Sequence, residues 1–417
     1  MKLSLFGEKF NQRSGILELM DDLGQAMAGT TDQLMLGGGN PSLIPAMQEV
    51  WEDELKKLTS DGSRLSSVLG YYDTPSGSIR WRTALAELLR NEYGMPVTEA
   101  NIALTNGSQN AFFILFNLFA GAYPGGLKRV LFPLAPEYIG YADQTLGPDT
   151  FYSHPAKIEL LEPPYFKYRV DFETLSVPED LGLVCVSRPT NPSGNVLDDL
   201  EIRKLLEIAR GRGVPLIIDN AYGVPFPRIL FEEITPFWEP GMVLVMSLSK
   251  LGLPGLRTGI VLGDPEIISA VSSVHAIMNL AGGNLGPALT ENMIRTRSVL
   301  ELSKNIIKPF YMDLRDKAVA LLRQNFDNKI SYRLHKPEGA LFLWVSFPDL
   351  TIPTRELYIK LKKLGVLVVP GEYFFFGLDA PDPESQKCLR LTYSQGEEVF
   401  SRAVCIIAET VEKYSEK

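Results

Sequence analysis

The feature that most narrows the possible folds is a repeated order: a short apolar run, a polar turn, then a segment with helical character. Residues 102–105, 130–132, 183–186, 216–218, 243–246 and 259–263 are such apolar runs, rich in Val, Ile and Leu. Helical segments follow from residue 109 and over 199–210. Runs without polar alternation suit strands buried on both faces, and the β-then-α order predicts an α/β domain with a mostly parallel sheet flanked by helices. The pattern changes after residue 300. A long helix over much of 297–324 leads to a strand at 339–345, a helix at 354–364, strands at 366–369 and 389–392, and a final amphipathic helix. That reads as a smaller α+β domain. The predicted division is residues 1–45 as an N-terminal arm and part of the small domain, 46–300 as the large cofactor-binding domain, and 301–417 as the small domain.

Composition excludes several classes. Hydrophobic residues make up 45% and charged residues 22% of the 417, as in globular proteins. A net charge of −9 argues against nucleic acid as a partner. The apolar stretch 111–120, with Asn117 inside it, falls short of the roughly 20 residues that a membrane span needs. Glu8 and Lys9 interrupt the start before a secretory core can form. Cys185, Cys388 and Cys405 are too few and too scattered for a disulfide or zinc framework, so no metal is expected and a cytoplasmic setting fits.

Ligands of open α/β sheets bind beyond the carboxyl ends of the strands, and the polar motifs of this chain collect there. The run 243–250 ends in Ser247, Ser249 and Lys250, and a loop then carries Arg257. The apolar run 214–218 ends in Asp219, with Tyr222 three residues on. A lysine, an aspartate, a tyrosine and an arginine at strand ends suit pyridoxal phosphate held as a Schiff base. Lys250 is the amine. Asp219 pairs with the pyridine nitrogen, Tyr222 with the ring oxygen. Arg257, Ser247 and Ser249 meet the phosphate. Gly107, Ser108 and Gln109 open a helix whose backbone N–H groups can cradle that phosphate. Tyr138 can stack on the ring, and Asn191 can donate to its oxygen. Arg390, in the small domain, can grip a substrate carboxylate with its fork. Each residue alone has a plainer reading: a turn cap for Asp219, strand-end capping for the serines, packing for Tyr138, a surface ion pair for Arg390.

In order and spacing these segments resemble the class I and II, fold-type I, pyridoxal-phosphate-dependent aminotransferases. The resemblance rests on residues 247–257, on 191–194 and 219–222, on Glu338 to Trp344, and on Pro370 to Phe374. It implies a homodimer in which Tyr72 reaches the cofactor phosphate of the neighbouring subunit, and it places Gly38 beside the substrate carboxylate with Asn191 and Arg390. The segments 36–41, 131–143 and 218–227 point to the branch that acts on aliphatic amino acids and 2-oxo acids, with L-valine and pyruvate giving 3-methyl-2-oxobutanoate and L-alanine. Ser193 stands where the family often has threonine. The alternatives are another aminotransferase specificity (alanine, aromatic or branched-chain), a carbon–sulfur lyase using the same cofactor, and a non-catalytic effector-binding module. The last would need an attached DNA-binding segment for which this chain has no spare basic stretch.

Overall fold

The computed structural model describes residues 2–12, 14–27 and 33–416. Positions 1, 13 and 28–32, all inside the arm assigned to 1–45, and position 417 lie outside the described residues.

An eight-stranded sheet forms the centre, in the spatial order Ile102–Thr105, Gly259–Leu262, Met242–Ser247, Leu216–Asp219, Leu181–Ser187, Gly126–Ala135 and Gly121–Tyr123, with Phe151–Pro155 also paired to Gly126–Ala135. Pairings among the middle strands are parallel. Gly259–Leu262 instead runs antiparallel to both of its neighbours. Its connection to Met242–Ser247 holds only two short 3-10 turns, whereas a parallel crossover needs about a dozen residues or more, usually with a helix. Both sheet faces are buried. Cys185, Ile217, Val243 and Val245 belong to one apolar cluster with the helix Ser108–Phe119; Val186, Ile218, Leu244 and Met246 belong to the other, with the helix Asp199–Gly211. This two-sided burial is why the strands read as continuous apolar runs. Asp199–Gly211 starts where Asp198 and Glu201 cap each other's backbone N–H groups.

A six-stranded second sheet has the order Val369–Pro370, Cys388–Thr392, Phe342–Ser346, Arg333–His335, Tyr165–Arg169 and Lys157–Leu160. Its last two strands come from within 46–300 yet extend the sheet of the C-terminal segment. The stretch read as one strand at 366–369 is two: Val366–Leu367 pairs with Leu34–Met35, and Val369–Pro370 pairs with Cys388–Thr392. The helix expected over 297–324 is Ser298–Leu302, a π turn at Ser303–Ile307, then Lys308–Phe326. Pro309 accounts for the π turn. A proline ring offers no N–H and crowds the carbonyl four residues back, and a wider turn relieves both.

Candidate active site

Strand register gathers the polar residues on one edge. Ser247 lies opposite Gly259, and Gly259 opposite Thr105. Asp219 lies between Ser187 and Val245. Because Gly259–Leu262 runs backwards, Arg257 just ahead of it arrives at the same edge as Lys250.

Lys250 is partly buried in a 3-10 turn directly after its strand. Its Nζ donates to the Gly39 carbonyl and sits 5.2 Å from the centre of the Tyr222 ring. Burial brings its amine down to about 8, and the charge of Arg390 adds to this while Asp219 opposes it. A lysine so placed supplies free amine near neutral pH, as a nucleophile must.

The loop before Ser108–Phe119 approaches Arg257 closely. A Cβ on Gly107 would lie 2.2 Å from Arg257 Nη2, and Gly107 adopts φ +91°. Arg257 is itself in the left-handed region at φ 46°, ψ 55°, a conformation that costs a non-glycine residue about 1–2 kcal/mol. Its Nη1 donates to the Pro254 carbonyl at 3.1 Å, and no carboxylate pairs with it among the described residues. The result is a concave patch of backbone N–H groups, at a helix start, beside one guanidinium. Ser247 turns its hydroxyl inward, donating to Ser249 Oγ at 2.8 Å and accepting the Ser249 N–H at 3.0 Å. Ser249, less buried, is left to face the patch. The Gln109 side-chain amide donates to the Gly140 carbonyl at 2.8 Å, which leaves its backbone N–H at the helix start, the group expected to meet an anion.

Asp219 Oδ2 accepts from the Tyr141 hydroxyl at 2.5 Å, and Oδ1 accepts the Ala221 N–H at 3.0 Å. Burial pushes its carboxyl up, while Tyr141 and Ala221 hold it down. Tyr138 packs edge-on to Tyr141 at 5.1 Å, and burial raises its phenol.

Arg390 is 2% exposed. Its Nη1 donates to Asn191 Oδ1 at 2.8 Å and Nη2 to the Gly37 carbonyl at 2.7 Å, while Nε has no partner. The guanidinium lies 4.3 Å from the Phe342 ring centre and 5.4 Å from that of Phe374. Burial brings it down to about 10. No described carboxylate pairs with it. A buried cation without an anion is costly, and a substrate carboxylate is the partner that removes the cost.

The structure therefore gathers Lys250, Asp219, Tyr222, Tyr138, Asn191 and Arg390, and beside them Gly107, Ser108, Ser249 and Arg257. Tyr72 is 83% exposed. Near Gly38 it is the carbonyls of Gly37 and Gly39 that meet Arg390 and Lys250. Sequence reasoning missed Tyr141, Ser187 and Glu137. The same signal that marked Asp219, a carboxyl directly after an apolar strand, also marks Glu137 after residues 130–136. Pyridoxal phosphate fits these residues: the Gly107 hollow that a Cβ would fill faces Arg257, a lysine amine is held near neutrality, and a buried carboxyl is available for a ring N–H.

The profile of the family described as "Aminotransferase class I and II" matches residues 150–405. This chain belongs to the class I and II aminotransferases, enzymes built on pyridoxal phosphate and the fold-type I architecture. It is 49% identical over 414 residues to the valine–pyruvate aminotransferase of Escherichia coli (strain K12), covering 99% of each chain. The crystal structure of valine–pyruvate aminotransferase from Salmonella typhimurium LT2 superposes with a TM-score of 0.89 at 48% identity, covering 96% of this chain and 99% of that one. The aspartate aminotransferase of Thermus thermophilus, at 21% identity and a TM-score of 0.78, shares the fold.

Proposed function

We propose that this chain moves an amino group from L-valine to pyruvate, giving 3-methyl-2-oxobutanoate and L-alanine. The observation that carries the reading is Arg390, a buried guanidinium with no carboxylate of its own in the same cluster as the Lys250 amine. The likeness to the Escherichia coli and Salmonella enzymes supports the choice of substrates.

Pyridoxal phosphate, when bound, supplies a carbonyl carbon for amines and an electron-withdrawing ring. Lys250 would hold it by the ε-amine, Asp219 would keep its ring nitrogen protonated, Tyr222 and Asn191 would address its ring oxygen, and Gly107, Ser108, Gln109, Ser249 and Arg257 would enclose its phosphate, with Ser247 orienting Ser249. Arg390, with Asn191 and the backbone of 37–39, fixes the substrate carboxylate. Once the substrate amine has taken its place on the cofactor, the released Lys250 Nζ would be free to take the proton from the substrate α-carbon, a task within reach of an amine at about 8. Tyr138 closes one side of the ring.

The same reading proposes a cytoplasmic homodimer. No described helix is long and apolar enough to cross a membrane, and the three cysteines are free. Leu69, Tyr71, Tyr72 and Ile277 form part of an exposed apolar surface that a second copy would cover, placing Tyr72 at the partner's phosphate site. The large part comprises residues 46–300 without the hairpin of 157–169, which joins 1–45 and 301–417 in the smaller part.

A panel of amino donors against pyruvate and 2-oxoglutarate, followed at the cofactor absorbance, tests the function. L-valine with pyruvate is expected to be the fastest pair. Pyruvate release from cystathionine without an oxo-acid acceptor would mark a lyase instead. Borohydride should trap the cofactor on Lys250, and Lys250→Ala should lose that adduct and turnover together.

A further inference from the structure

Behind Asp219 lies a second buried carboxyl that the reaction as described does not use. Glu137 is 1% exposed and follows the strand Gly126–Ala135 at the edge that holds Asp219. Its Oε1 accepts the Ser187 N–H at 2.9 Å; Oε2 lies 2.6 Å from Ser187 Oγ and 3.3 Å from the Tyr138 N–H. Ser187 Oγ is 3.3 Å from Tyr141 Oη, which donates to Asp219 Oδ2 at 2.5 Å. Two carboxyls are thus joined through two hydroxyls. Titratable groups around Glu137 include Asp219, Tyr141, Tyr138 and Cys185, and among the described residues it forms no ion pair.

Counting protons separates two states of this chain. With Glu137 ionised, Ser187 donates to Glu137 and Tyr141 donates to Asp219. The two hydroxyl oxygens then face each other with no proton between them. With Glu137 protonated, its O–H donates to Ser187, Ser187 to Tyr141 and Tyr141 to Asp219. Every bond then points one way and ends on a single negative charge, the cooperative arrangement. Two neighbouring carboxyls in a buried site also do not both ionise readily.

We propose that Glu137, as the protonated acid, is a positioning residue that aims the Ser187–Tyr141 hydroxyl chain at Asp219 and so keeps Asp219 the anion facing the pyridine nitrogen. This rests on the transaminase reading, since it gives Asp219 its task. Burial pushes the Glu137 carboxyl up to about 8 against the hydrogen bonds from Ser187 and the Tyr138 N–H, with Asp219 adding a smaller push upward, so the protonated form prevails at neutral pH. As pH rises past that value the proton leaves to water and the chain loses its single direction.

Infrared difference spectra of the holoenzyme, titrated from about pH 6 to about pH 10, read the proton directly. The wild type is expected to lose a protonated-carboxyl stretch with a midpoint near 8, the value to which burial raises Glu137, and Glu137→Gln to lack that band. A band absent at the acid end, or one that persists in Glu137→Gln, overturns the proposal. The L-valine half-reaction, followed spectrally, reads its consequence. Glu137→Leu should slow it about tenfold or more, as expected for losing a hydrogen bond to a charged group. Glu137→Gln, whose amide can still donate to Ser187, should recover most of the loss. In a Tyr141→Phe background the two variants should become equal; a difference that survives there refutes the chain. Should Glu137→Leu not fold, Ser187→Ala breaks the same path and carries the same expectation. Loss of the borohydride adduct at Lys250 would sink the transaminase reading while leaving the carboxyl band where it is, so the two failures are distinguishable.

Discussion

Among the described residues neither Arg390 nor Arg257 has a carboxylate partner, and the site's behaviour follows from what each can grip. Arg390→Lys removes the planar fork that holds Asn191 and the Gly37 carbonyl. The expected result is a rise in KM of about 10- to 100-fold for amino acid and oxo acid alike, from the roughly 1.5–3 kcal/mol of a charged hydrogen bond, measured by steady-state kinetics with both partners varied. Gly107→Ala should act on the cofactor instead. A Cβ 2.2 Å from Arg257 Nη2 must displace the guanidinium, and φ +91° already disfavours any side chain. Cofactor affinity is expected to fall at least about tenfold, read by equilibrium titration of the cofactor-free protein. Much of this level was legible in the sequence. Lys250, Asp219 and Arg390 each stand as a polar residue after or within an apolar strand, and burial makes such residues conspicuous. Tyr141 and Ser187 were not legible, because a tyrosine and a serine are ordinary in any buried segment and only the fold brings both to Asp219.

Elements were legible where local pattern decides them, as in Met242–Ser247 and Asp199–Gly211, and illegible where a distant partner does. Lys157–Leu160 is exposed along its whole length, and Tyr165–Arg169 finds its neighbour in Arg333–His335, far along the chain. Nothing local specifies such a pairing. The direction of Gly259–Leu262 is recorded not in its composition but in the short link from Met242–Ser247, which leaves no room for a crossover helix. The hairpin is held by a buried ion pair between Lys167 and Glu338, where Glu338 also accepts the Val196 N–H at 3.0 Å and Lys167 donates to the Val196 carbonyl at 3.0 Å. Glu338 also meets Lys336 Nζ at 3.2 Å, so Lys167→Met leaves it with one half-exposed cation and should cost less, in urea unfolding, than the roughly 3–5 kcal/mol of a buried charge stripped of every partner. Lys167→Met combined with Glu338→Leu should recover a large part of that loss.

At the scale of the whole molecule, the role proposed for the exposed Tyr72 would tie activity to assembly. Inactive Lys250→Ala subunits mixed with Tyr72→Phe subunits, after dissociation and reassociation, should contain one site per mixed dimer with its own lysine and a wild-type tyrosine from the neighbour. Activity recovered above that of either parent is the expected outcome; none recovered would mean that Tyr72 serves no partner site. The two sheets of each subunit are fastened differently. The peptide passes between the eight-stranded and six-stranded sheets from Phe151–Pro155 into Lys157–Leu160, back from Tyr165–Arg169 to Leu181–Ser187, and finally along 298–326. A seam sewn at several places keeps either half from drifting away, so a protease nick in the 170–180 loop would sever one stitch and still leave a single particle.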